Sequence, residues 1–290
     1  MPRILFLLGD TAVARNDNHE RLPKGFRTCG WEVTERPHDS VQICAGSLAF
    51  GDIPAEQFDL IWPMGFGQAS SFFDRMQLLS LLESARLVTG PEALTFLHGK
   101  YRWLEDMPET HAAASVEVLA AVIGQGGDWV VKPPAGSYGR GVVLIRNGED
   151  PRPHLQQLVF PNRCTQPQYC IAQRFIPEIV HGETRTLVAS GNIIGSYLRL
   201  PTDALHANLS AHASATSTRL SASQELLVLR LAGELLTLGA QFAAIDIVGD
   251  RLLEVNIANP GGLATLQDLY GVDHSEQVAR HIIARAAQAT

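Results

Sequence analysis

Two segments decide the fold: Trp129-Val-Val-Lys132-Pro-Pro-Ala-Gly136-Ser-Tyr-Gly139-Arg-Gly141-Val and Ala244-Ile-Asp246-Ile-Val-Gly-Asp-Arg-Leu-Leu-Glu254-Val-Asn256. The first places a lysine at the end of an apolar strand and continues into a glycine-rich loop, whose backbone N–H groups can surround phosphate oxygens. The second carries three oxygen-bearing side chains on a predicted hairpin. Mg²⁺ takes such ligands when it also binds phosphates, so the two segments together predict a site for Mg²⁺ and ATP.

The register of the predicted hairpin determines whether its polar side chains can share one ion. A two-residue turn would set Asp246 opposite Leu253, with Glu254 on the other face. A three-residue loop at 249–251 instead sets Asp246 opposite Glu254, with Asn256 on the same face. Like charges opposed across a ladder repel, so this register indicates a bound cation, and removing one charge should not destabilise the metal-free hairpin. The alternative is an ordinary amphipathic hairpin with a wet carboxylate on each face.

Further segments resemble the ATP-grasp ligases, and most of all bacterial glutathione synthetase. None of these segments is diagnostic alone, but their order and spacing match from Trp129 to Pro260. The matching segments are Val131-Lys132-Pro133, Ala172-Gln173-Arg174-Phe175-Ile176-Pro177, Gly182-Glu183-Thr184-Arg185, Leu198-Arg199-Leu200-Pro201, Asn208-Leu209-Ser210, and Asp246 through Asn256-Ile-Ala-Asn-Pro260.

The resemblance implies an ATP-grasp fold of the α/β class, α+β in its ATP-binding part, with ATP held between two α+β subdomains. In the first 90 residues, strand and helix patterns alternate, which predicts a small parallel sheet covered by helices. The resemblance identifies this part as a Rossmann-like pre-ATP-grasp domain. The predicted units are this domain at 1–91, a lid subdomain with the glycine-rich loop at 92–167, and a C-terminal subdomain with the hairpin at 168–290.

Hydrophobic periodicity predicts the individual elements. A polar connection is expected at 147–167, and a long loop is expected from the end of the last strand to about residue 221. The predicted strands are 3–8, 31–36, 58–62, 86–89, 129–132, 142–146, 168–175, 184–190 and 193–199, and the predicted helices are near 20–28, near 72–83, from 92 onward, at 222–238, and from a capping box of Asp273 with Glu276 onward.

Composition favours a soluble enzyme. The 290 residues are 46% hydrophobic and 18% charged, which allows a large buried core. A net charge of −7 without a basic cluster argues against nucleic acid as a partner. The sequence has no long apolar run and no signal-peptide start, so we expect a cytoplasmic protein without a membrane partner. The scattered cysteines Cys29, Cys44, Cys164 and Cys170 predict reduced packing residues rather than a zinc site or a disulfide framework.

The resemblance implies that two lysines and the glycine-rich loop contact the phosphates of ATP. Lys132 and Lys100 match the family's phosphate-binding lysines, and Lys100 is predicted to lie on the helix after Gly99. Either lysine could instead be a solvated surface residue. The loop would close over the triphosphate and exclude water. The loop residues assigned to ATP are Gly136, Ser137, Tyr138, Gly139 and Gly141.

The resemblance also implies contacts to the nucleoside. Gln173, Arg174, Phe175 and Ile176 match the family's interdomain strand, in which main-chain groups of the middle residues meet the adenine edge. Glu183 matches the acidic residue that accepts the ribose hydroxyls. The alternative for Glu183 is a surface carboxylate in a turn.

Arg185 and Arg199 match arginines near the γ-phosphate and the substrate carboxylate, and a guanidinium can bind either group bidentately. Phosphoryl transfer to a carboxylate spreads charge over oxygens, so preorganised cations are the main contribution that a protein can make. Asn208 matches part of the family's substrate loop. His206 and His212 flank this stretch and are either specificity residues or part of a polar loop.

We therefore expect an ATP-dependent carboxylate–amine ligase. A substrate carboxylate would take the γ-phosphate to give an acylphosphate and ADP, and an amine would then displace phosphate to form an amide. Asp246, Glu254 and Asn256 would hold one or two Mg²⁺ ions, with Mn²⁺ as a substitute. The expected partners are small carboxylate and amine substrates, and the resemblance implies a homo-oligomer, either a dimer or a tetramer.

The substrate side departs from the family pattern. The family's Asp-Pro-Pro after an early strand is replaced by Met64-Gly-Phe-Gly67, and its Ser-Pro-Thr after the hairpin is replaced by Asn259-Pro260-Gly261. These changes disfavour glutathione itself and leave open a related amino-acid-derived metabolite, including one closed intramolecularly into a ring. A non-catalytic nucleotide-binding regulator also stays open. A dinucleotide oxidoreductase is disfavoured because Gly9-Asp10 lacks the G-x-G-x-x-G motif.

Overall fold

The computed structural model describes residues 1–9, 16–97, 100–134, 141–201 and 214–289. None of the helices in this part of the chain is both long and apolar enough to cross a membrane. The helices are α1 (Asn18–Thr28), α2 (Phe72–Leu79), α3 (Pro91–Phe96), α4 (Val116–Ile123), α5 (Arg152–Val159), α6 (Ala222–Thr237), α7 (Leu263–Tyr270) and α8 (Ser275–Ala289).

The strands of the described residues form four sheets, with the orders β2-β1-β6, β3-β4-β5, β7-β10-β8-β9 and β13-β12-β11-β14-β15. In chain order they are β1 (Arg3–Leu8), β2 (Glu32–Pro37), β3 (Val41–Cys44), β4 (Ser47–Phe50), β5 (Ile53–Pro54), β6 (Leu60–Met64), β7 (Thr110–Ala113), β8 (Trp129–Lys132), β9 (Val143–Ile145), β10 (Cys170–Arg174), β11 (Glu183–Ala189), β12 (Asn192–Leu200), β13 (Ser214–Ser217), β14 (Phe242–Val248) and β15 (Arg251–Asn256).

The N-terminal sheet is parallel, with β1 between β2 and β6. Its middle strand is a continuous apolar run with both faces buried, as a parallel strand covered on both sides requires. The predicted strand at 86–89 is wrong in the described structure, where this segment makes only isolated bridges, of Leu87 with Ile61 and of Thr89 with Ala240. A 3₁₀ turn at Ser84–Arg86 takes up the first residue of the segment, and the pair Gly90-Pro91 follows its last residue, so a continuous ladder does not form.

The lid sheet differs from the predicted division of the chain at residue 168. Strand β10 pairs with β7 and β8, so this sheet takes in residues up to Arg174. The change from one sheet to the next falls between Arg174 and Glu183, where two turns of 3₁₀ helix intervene. The predicted polar connection contains α5, which buries Leu155 and Val159 against the sheet.

The C-terminal sheet is antiparallel throughout, and its two faces have different neighbours. One face packs on α6 through Val228, Leu231 and Leu235. The other packs on α7, on α8 and on the N-terminal sheet. This second face is apolar at Phe242 and becomes charged toward the opposite end of the strand, at Asp246.

The cysteines have different surroundings. Cys170 is buried within the lid sheet and Cys29 is half-buried, whereas Cys44 and Cys164 are exposed. The interpretation of all four as packing residues is therefore wrong for the two exposed ones.

Two helix-interior glycines provide a matched test of the packing. A Cβ atom at Gly25 of α1 would lie 2.4 Å from the carbonyl oxygen of Ser275, whereas a Cβ at Gly233 of α6 would meet nothing within 4 Å. Backbone cannot yield as a flexible side chain can, so we expect Gly25→Ala to lower the free energy of unfolding by about 1–3 kcal/mol. Gly233→Ala should raise it by up to about 1 kcal/mol, because alanine favours the helix. Urea denaturation followed by circular dichroism measures both, and equal changes would contradict the close approach of α1 and α8.

Candidate functional site

A row of polar side chains crosses the C-terminal sheet. Glu254 pairs directly with Asp246, Asp246 with Arg185, and Arg185 with Tyr197. Residues directly opposite each other in a ladder lie on the same face. Four neighbouring strands therefore contribute one side chain each to a continuous row.

The hairpin reaches the predicted register in a way that the sequence did not predict. Strand β15 begins directly after the two residues Gly249 and Asp250, so the predicted three-residue loop is wrong. A bulge in the ladder beside Asp246 makes Leu253 an extra residue, and Asp246 faces Glu254 as predicted. A bulge shifts the register by one residue. It therefore brings Asp246 opposite Glu254, which the sequence analysis had attributed to a longer loop.

Asp246 is held by two guanidinium groups. Arg185 donates from Nε to Oδ1 at 2.8 Å and from Nη2 to Oδ2 at 2.6 Å. Arg199 Nη2 lies 2.9 Å from Oδ2, and Asn256 Nδ2 donates to the same oxygen at 3.3 Å. Only 1% of Asp246 is exposed. Its negative charge is thus compensated within the protein before any ligand binds.

Burial alone would raise the pKa of Asp246, but Arg185 and Arg199 outweigh that effect and hold the pKa well below its usual value. Glu183 behaves in the opposite way. Burial raises the pKa of Glu183, and the charge of Asp246 adds to this, although Arg199 acts against it. In surroundings of low dielectric constant, a second negative charge close to a first one is unfavourable. The ionised form of Glu183 is therefore disfavoured beside the charged Asp246.

Glu183 is buried and forms an ion pair with Arg199, its direct neighbour across β11 and β12. The alternative of a surface carboxylate in a turn is therefore wrong. Arg199 bridges Glu183 and Asp246, while its Nε has no partner in the described structure. The role of Glu183 toward the ribose stays a prediction.

Lys132 reaches the site from the lid sheet. Its Nζ donates to Gln173 Oε1 at 2.8 Å, and Gln173 Nε2 donates to Thr110 Oγ1 at 2.9 Å. Burial, together with the charge of Lys100, lowers the pKa of Lys132 to about 8. The alternative of a solvated strand-end lysine is therefore wrong, because only 9% of Lys132 is exposed.

Lys100 connects the segment after α3 to the metal hairpin. It lies in a bend and not on a helix as predicted, because α3 ends at Phe96. Its Nζ is 3.4 Å from Glu254 Oε1, and 9% of the side chain is exposed. The interpretation of Lys100 as a solvated surface lysine is also wrong.

The segment assigned to adenine has part of its backbone already paired. Arg174 N–H donates to the carbonyl of Glu109 at 2.8 Å, and Phe175 N–H donates to that of Asp128 at 3.0 Å. The Arg174 guanidinium lies over the ring of Trp129, with its central carbon 3.9 Å from the ring centroid. An adenine contact would therefore use other main-chain groups of 173–176, such as Ile176 N–H.

Some predicted site residues lie outside the described part of the chain. Of the glycine-rich loop, Gly141 is described. It has φ +73°, and a Cβ atom at this position would lie only 3.2 Å from the Pro133 ring. The predicted residues outside it are Gly136, Ser137, Tyr138 and Gly139 of the loop, and Asn208, Ser210, His206 and His212 of the substrate stretch.

Comparison with known proteins places this geometry in a family. The model of the prokaryotic glutathione synthetase ATP-grasp domain matches residues 99–271. The chain belongs to that family. It is 29% identical over 219 residues to a glutathione synthetase of Parasynechococcus marenigrum (strain WH8102), covering 73% of this chain and 70% of that protein. It is 26% identical over 242 residues to one of Prochlorococcus marinus subsp. pastoris (strain CCMP1986 / NIES-2087 / MED4), covering 80% and 76%.

A solved structure shows the same fold at low identity. The D-cycloserine synthetase DcsG superposes with a TM-score of 0.70 at 16% identity, and the match covers 98% of this chain and 99% of that one. The predicted ATP-grasp fold is thus confirmed, and membership of the glutathione synthetase ATP-grasp family supports an enzyme that forms carbon–nitrogen bonds.

The donor set of the hairpin fits the Mg²⁺ that ATP-grasp enzymes use with ATP. Among the described residues, no three His, Cys, Asp or Glu side chains are grouped to hold a metal by themselves. The hairpin offers two carboxylates and an amide, and Asn256 uses its Nδ2 toward Asp246, which leaves its Oδ1 for a cation. Mg²⁺ commonly takes one or two carboxylates and completes its shell with water and phosphate oxygens. The residues present therefore fit a metal that arrives with a nucleotide.

Sequence reasoning missed two features of the site. Gln173 contributes its buried side chain and not only its backbone, and the signal for this is a polar residue that follows the apolar run Cys170-Ile-Ala172 within β10. Tyr197 joins the row opposite Arg185. Its position two residues before Arg199 places it on the same face of β12, which could have been read from the sequence.

Charge removal at the two hairpin carboxylates should affect stability differently. Asp246→Asn removes one carboxylate from two largely buried guanidinium groups, so we expect the free energy of unfolding without ligands to fall by about 3 kcal/mol. The Glu254 side chain is 26% exposed, and among the described residues its one ion pair is with Lys100, at 3.4 Å, so Glu254→Gln should change the free energy of unfolding by less than about 1 kcal/mol. Urea denaturation without Mg²⁺ and nucleotide measures both values.

This expectation replaces the one drawn from the hairpin alone, in which relief of like-charge repulsion would spare the fold. If Asp246→Asn were as stable as Glu254→Gln, the guanidinium contacts would not be compensating the charge of Asp246.

Proposed function

We propose that the protein is an ATP-dependent carboxylate–amine ligase that forms an amide bond on a small amino-acid or peptide-like substrate. The observation that carries this proposal is the gathering of charges at one end of the C-terminal sheet. Two carboxylates and an amide on the hairpin lie beside two largely buried arginines, and two largely buried lysines face them from the lid side. Such a set suits a metal–triphosphate and a transferring phosphoryl group.

Two groups of side chains would bind the nucleotide and its metal. Lys100 and Lys132, with the glycine-rich loop, would hold the phosphates, since both lysines lie on the lid side of the hairpin. Asp246, Glu254 and Asn256 would hold one or two Mg²⁺ ions. The metal, when bound, would neutralise phosphate charge and draw electron density from the γ-phosphorus.

The reaction requires no side-chain nucleophile. An oxygen of the substrate carboxylate attacks the γ-phosphorus, the bond to the β-phosphate oxygen breaks, and ADP leaves with an acylphosphate in place. The amine nitrogen then attacks the acyl carbon, the carbon–oxygen bond to phosphate breaks, and the amine loses a proton. Arg185 and Arg199 would stabilise charge on the transferring group from positions that Asp246 and Glu183 fix in advance.

The departures from the family fall close together in space, which supports a substrate other than glutathione precursors. Gly65 N–H donates to the carbonyl of Ala258 at 2.8 Å. Asn18 Nδ2 donates to Asn259 Oδ1 and to the carbonyl of Pro260, both at 2.9 Å. The replaced segments after β6 and after the hairpin thus form one border of the site. By resemblance, we further infer a cytoplasmic homo-oligomer.

The nucleotide product tests the proposal. Protein mixed with ATP, Mg²⁺ and a panel of amino acids, singly and in pairs, should release ADP and phosphate only with a cognate pair, or with one amino acid that carries both groups. Mass spectrometry should find a product lighter than its substrates by one water. AMP with pyrophosphate would indicate an adenylating enzyme, and nucleotide binding without turnover would indicate a regulator.

Arg185 should matter for the chemical step more than for ATP binding. If it stabilises charge on the transferred phosphoryl, Arg185→Ala should lower kcat by about 10²- to 10³-fold, as for loss of one preorganised donor. Lysine should restore only part of the rate, because a point charge does not reproduce the two-pronged guanidinium. The measurements are steady-state kinetics and ATP affinity by calorimetry, with folding checked by circular dichroism.

A loss of ATP affinity in proportion to the loss of rate would contradict this role, since Arg185 would then bind ground state and transition state equally.

A further inference from the structure

Tyr197 lies where the functional face of the C-terminal sheet changes from charged to apolar. It is directly opposite Arg185, and its ring belongs to the core cluster that contains Leu187, Leu263 and Leu266. Only 4% of the residue is exposed. Among the described residues, no hydrogen bond involves its hydroxyl. A buried phenol normally finds a polar partner, so this one is available to a ligand.

The hydroxyl lies against the start of α7. A Cβ atom at Gly262, the residue that precedes α7, would be 3.1 Å from the Tyr197 hydroxyl oxygen. Gly262 has φ +142°, and no side chain caps the helix there. The first intrahelical bond runs from Leu266 N–H to the Gly262 carbonyl. The N–H groups of the turn before it are thus free of intrahelical partners, and a side chain at 262 would crowd the Tyr197 ring and hydroxyl.

Neighbouring groups hold this turn in place, among them the Arg185 guanidinium, whose charge is paired with Asp246. Arg185 Nη1 donates to the Gly261 carbonyl at 3.3 Å, which brings its guanidinium to the turn. Asn16 Nδ2 donates to the carbonyl of Asn259 at 2.8 Å, and Asn18 bonds the carbonyl of Pro260. The approach to α7 is therefore fixed from the start of α1. A helix N-terminus and an unpaired hydroxyl both favour an anion.

We propose that Tyr197 and the N-terminus of α7 bind a carboxylate of the substrate that does not react, and so select substrates that carry one. This inference rests on the proposed function, which requires a small amino-acid or peptide-like substrate. The hydroxyl donates one hydrogen bond to the carboxylate, and the backbone N–H groups of the first turn of α7 donate the others. The substrate is thereby oriented with its reacting end toward Arg185.

The position in the sheet favours a carboxylate over a phosphate of ATP. Strand β12 lies two steps from β14 and three from β15. With strands about 4.8 Å apart, the backbone of Tyr197 is about 10 Å from that of Asp246 and about 14 Å from that of Glu254. A phosphate on a metal held by Asp246 and Glu254 is bound at the far end of the row. A substrate whose reacting group meets that phosphate spans the distance with its other end.

Fluorine NMR tests binding without depending on catalysis. The chain has five tyrosines, so protein labelled with 3-fluorotyrosine gives five signals, and Tyr197→Phe identifies the one from Tyr197. This signal should shift saturably with glycine and with acetate. It should not shift with ethanolamine, which keeps the amine of glycine and lacks the carboxylate. No response to either carboxylate would overturn the proposal, as would a response to inorganic phosphate alone.

Kinetics test the role in selection. Tyr197→Phe keeps the ring in the core, so the fold should be retained. We expect the KM of the carboxylate-bearing substrate found in the ADP panel to rise about 10-fold, as for loss of one hydrogen bond to a charged group, while kcat and the KM of ATP change less than about twofold. An unchanged KM for that substrate would overturn the proposal.

Tyr270→Phe is the matched control. The Tyr270 hydroxyl already donates to the carbonyl of Ser196 at 2.8 Å and accepts from Thr218 N–H at 3.1 Å. Its removal should leave the KM and the fluorine signal of Tyr197 unchanged, and an equal effect of both variants would count against a specific role of Tyr197. If no substrate in the panel releases ADP, the proposed function fails, and the fluorine titration still decides whether the carboxylate site exists.

Discussion

The buried carboxylate of Asp246, held by the guanidinium groups of Arg185 and Arg199, is the interaction on which the site depends. It holds two arginines in place, and it ties β11, β12 and β14 together at the charged end of the C-terminal sheet. A buried charge is costly unless it is paired and hydrogen-bonded. The pairing therefore allows the carboxylate that we propose as a metal ligand to be buried before any metal arrives.

Charge balance explains why the remaining groups are where they are. The carboxylates of Glu183, Asp246 and Glu254 face two arginines and two lysines. Lys100 contacts Glu254, and burial beside Lys100 keeps the pKa of Lys132 low. This excess of cations suits the anionic triphosphate that we propose as ligand. Since a bound metal would compete with the guanidinium groups for Asp246, metal and phosphate should bind together.

The parts of the site that follow from local patterns could be predicted from the sequence. The opposition of Asp246 and Glu254 is one example, because strand alternation and three polar residues in an apolar hairpin indicate it. The bulge at Leu253 that produces this register could not be predicted. It lies within the strand pairing, and no turn residue in the sequence signals it. The pairing of β10 with β7 and β8 was not predicted for a similar reason, because tertiary contacts decide which strands pair when they are distant in sequence. The guanidinium clamp also depends on such pairing, as the order β12-β11-β14 brings the hairpin of β11 and β12 beside a strand that is distant in sequence.

The position of the metal tests the account most directly. Crystals grown with ADP and Mn²⁺ should show an anomalous difference peak within coordination distance of Asp246, Glu254 and Asn256, with Arg185 still in contact with Asp246 or turned toward the phosphate. A metal bound only by the nucleotide, with both guanidinium groups unmoved and no ligand from the hairpin, would contradict it.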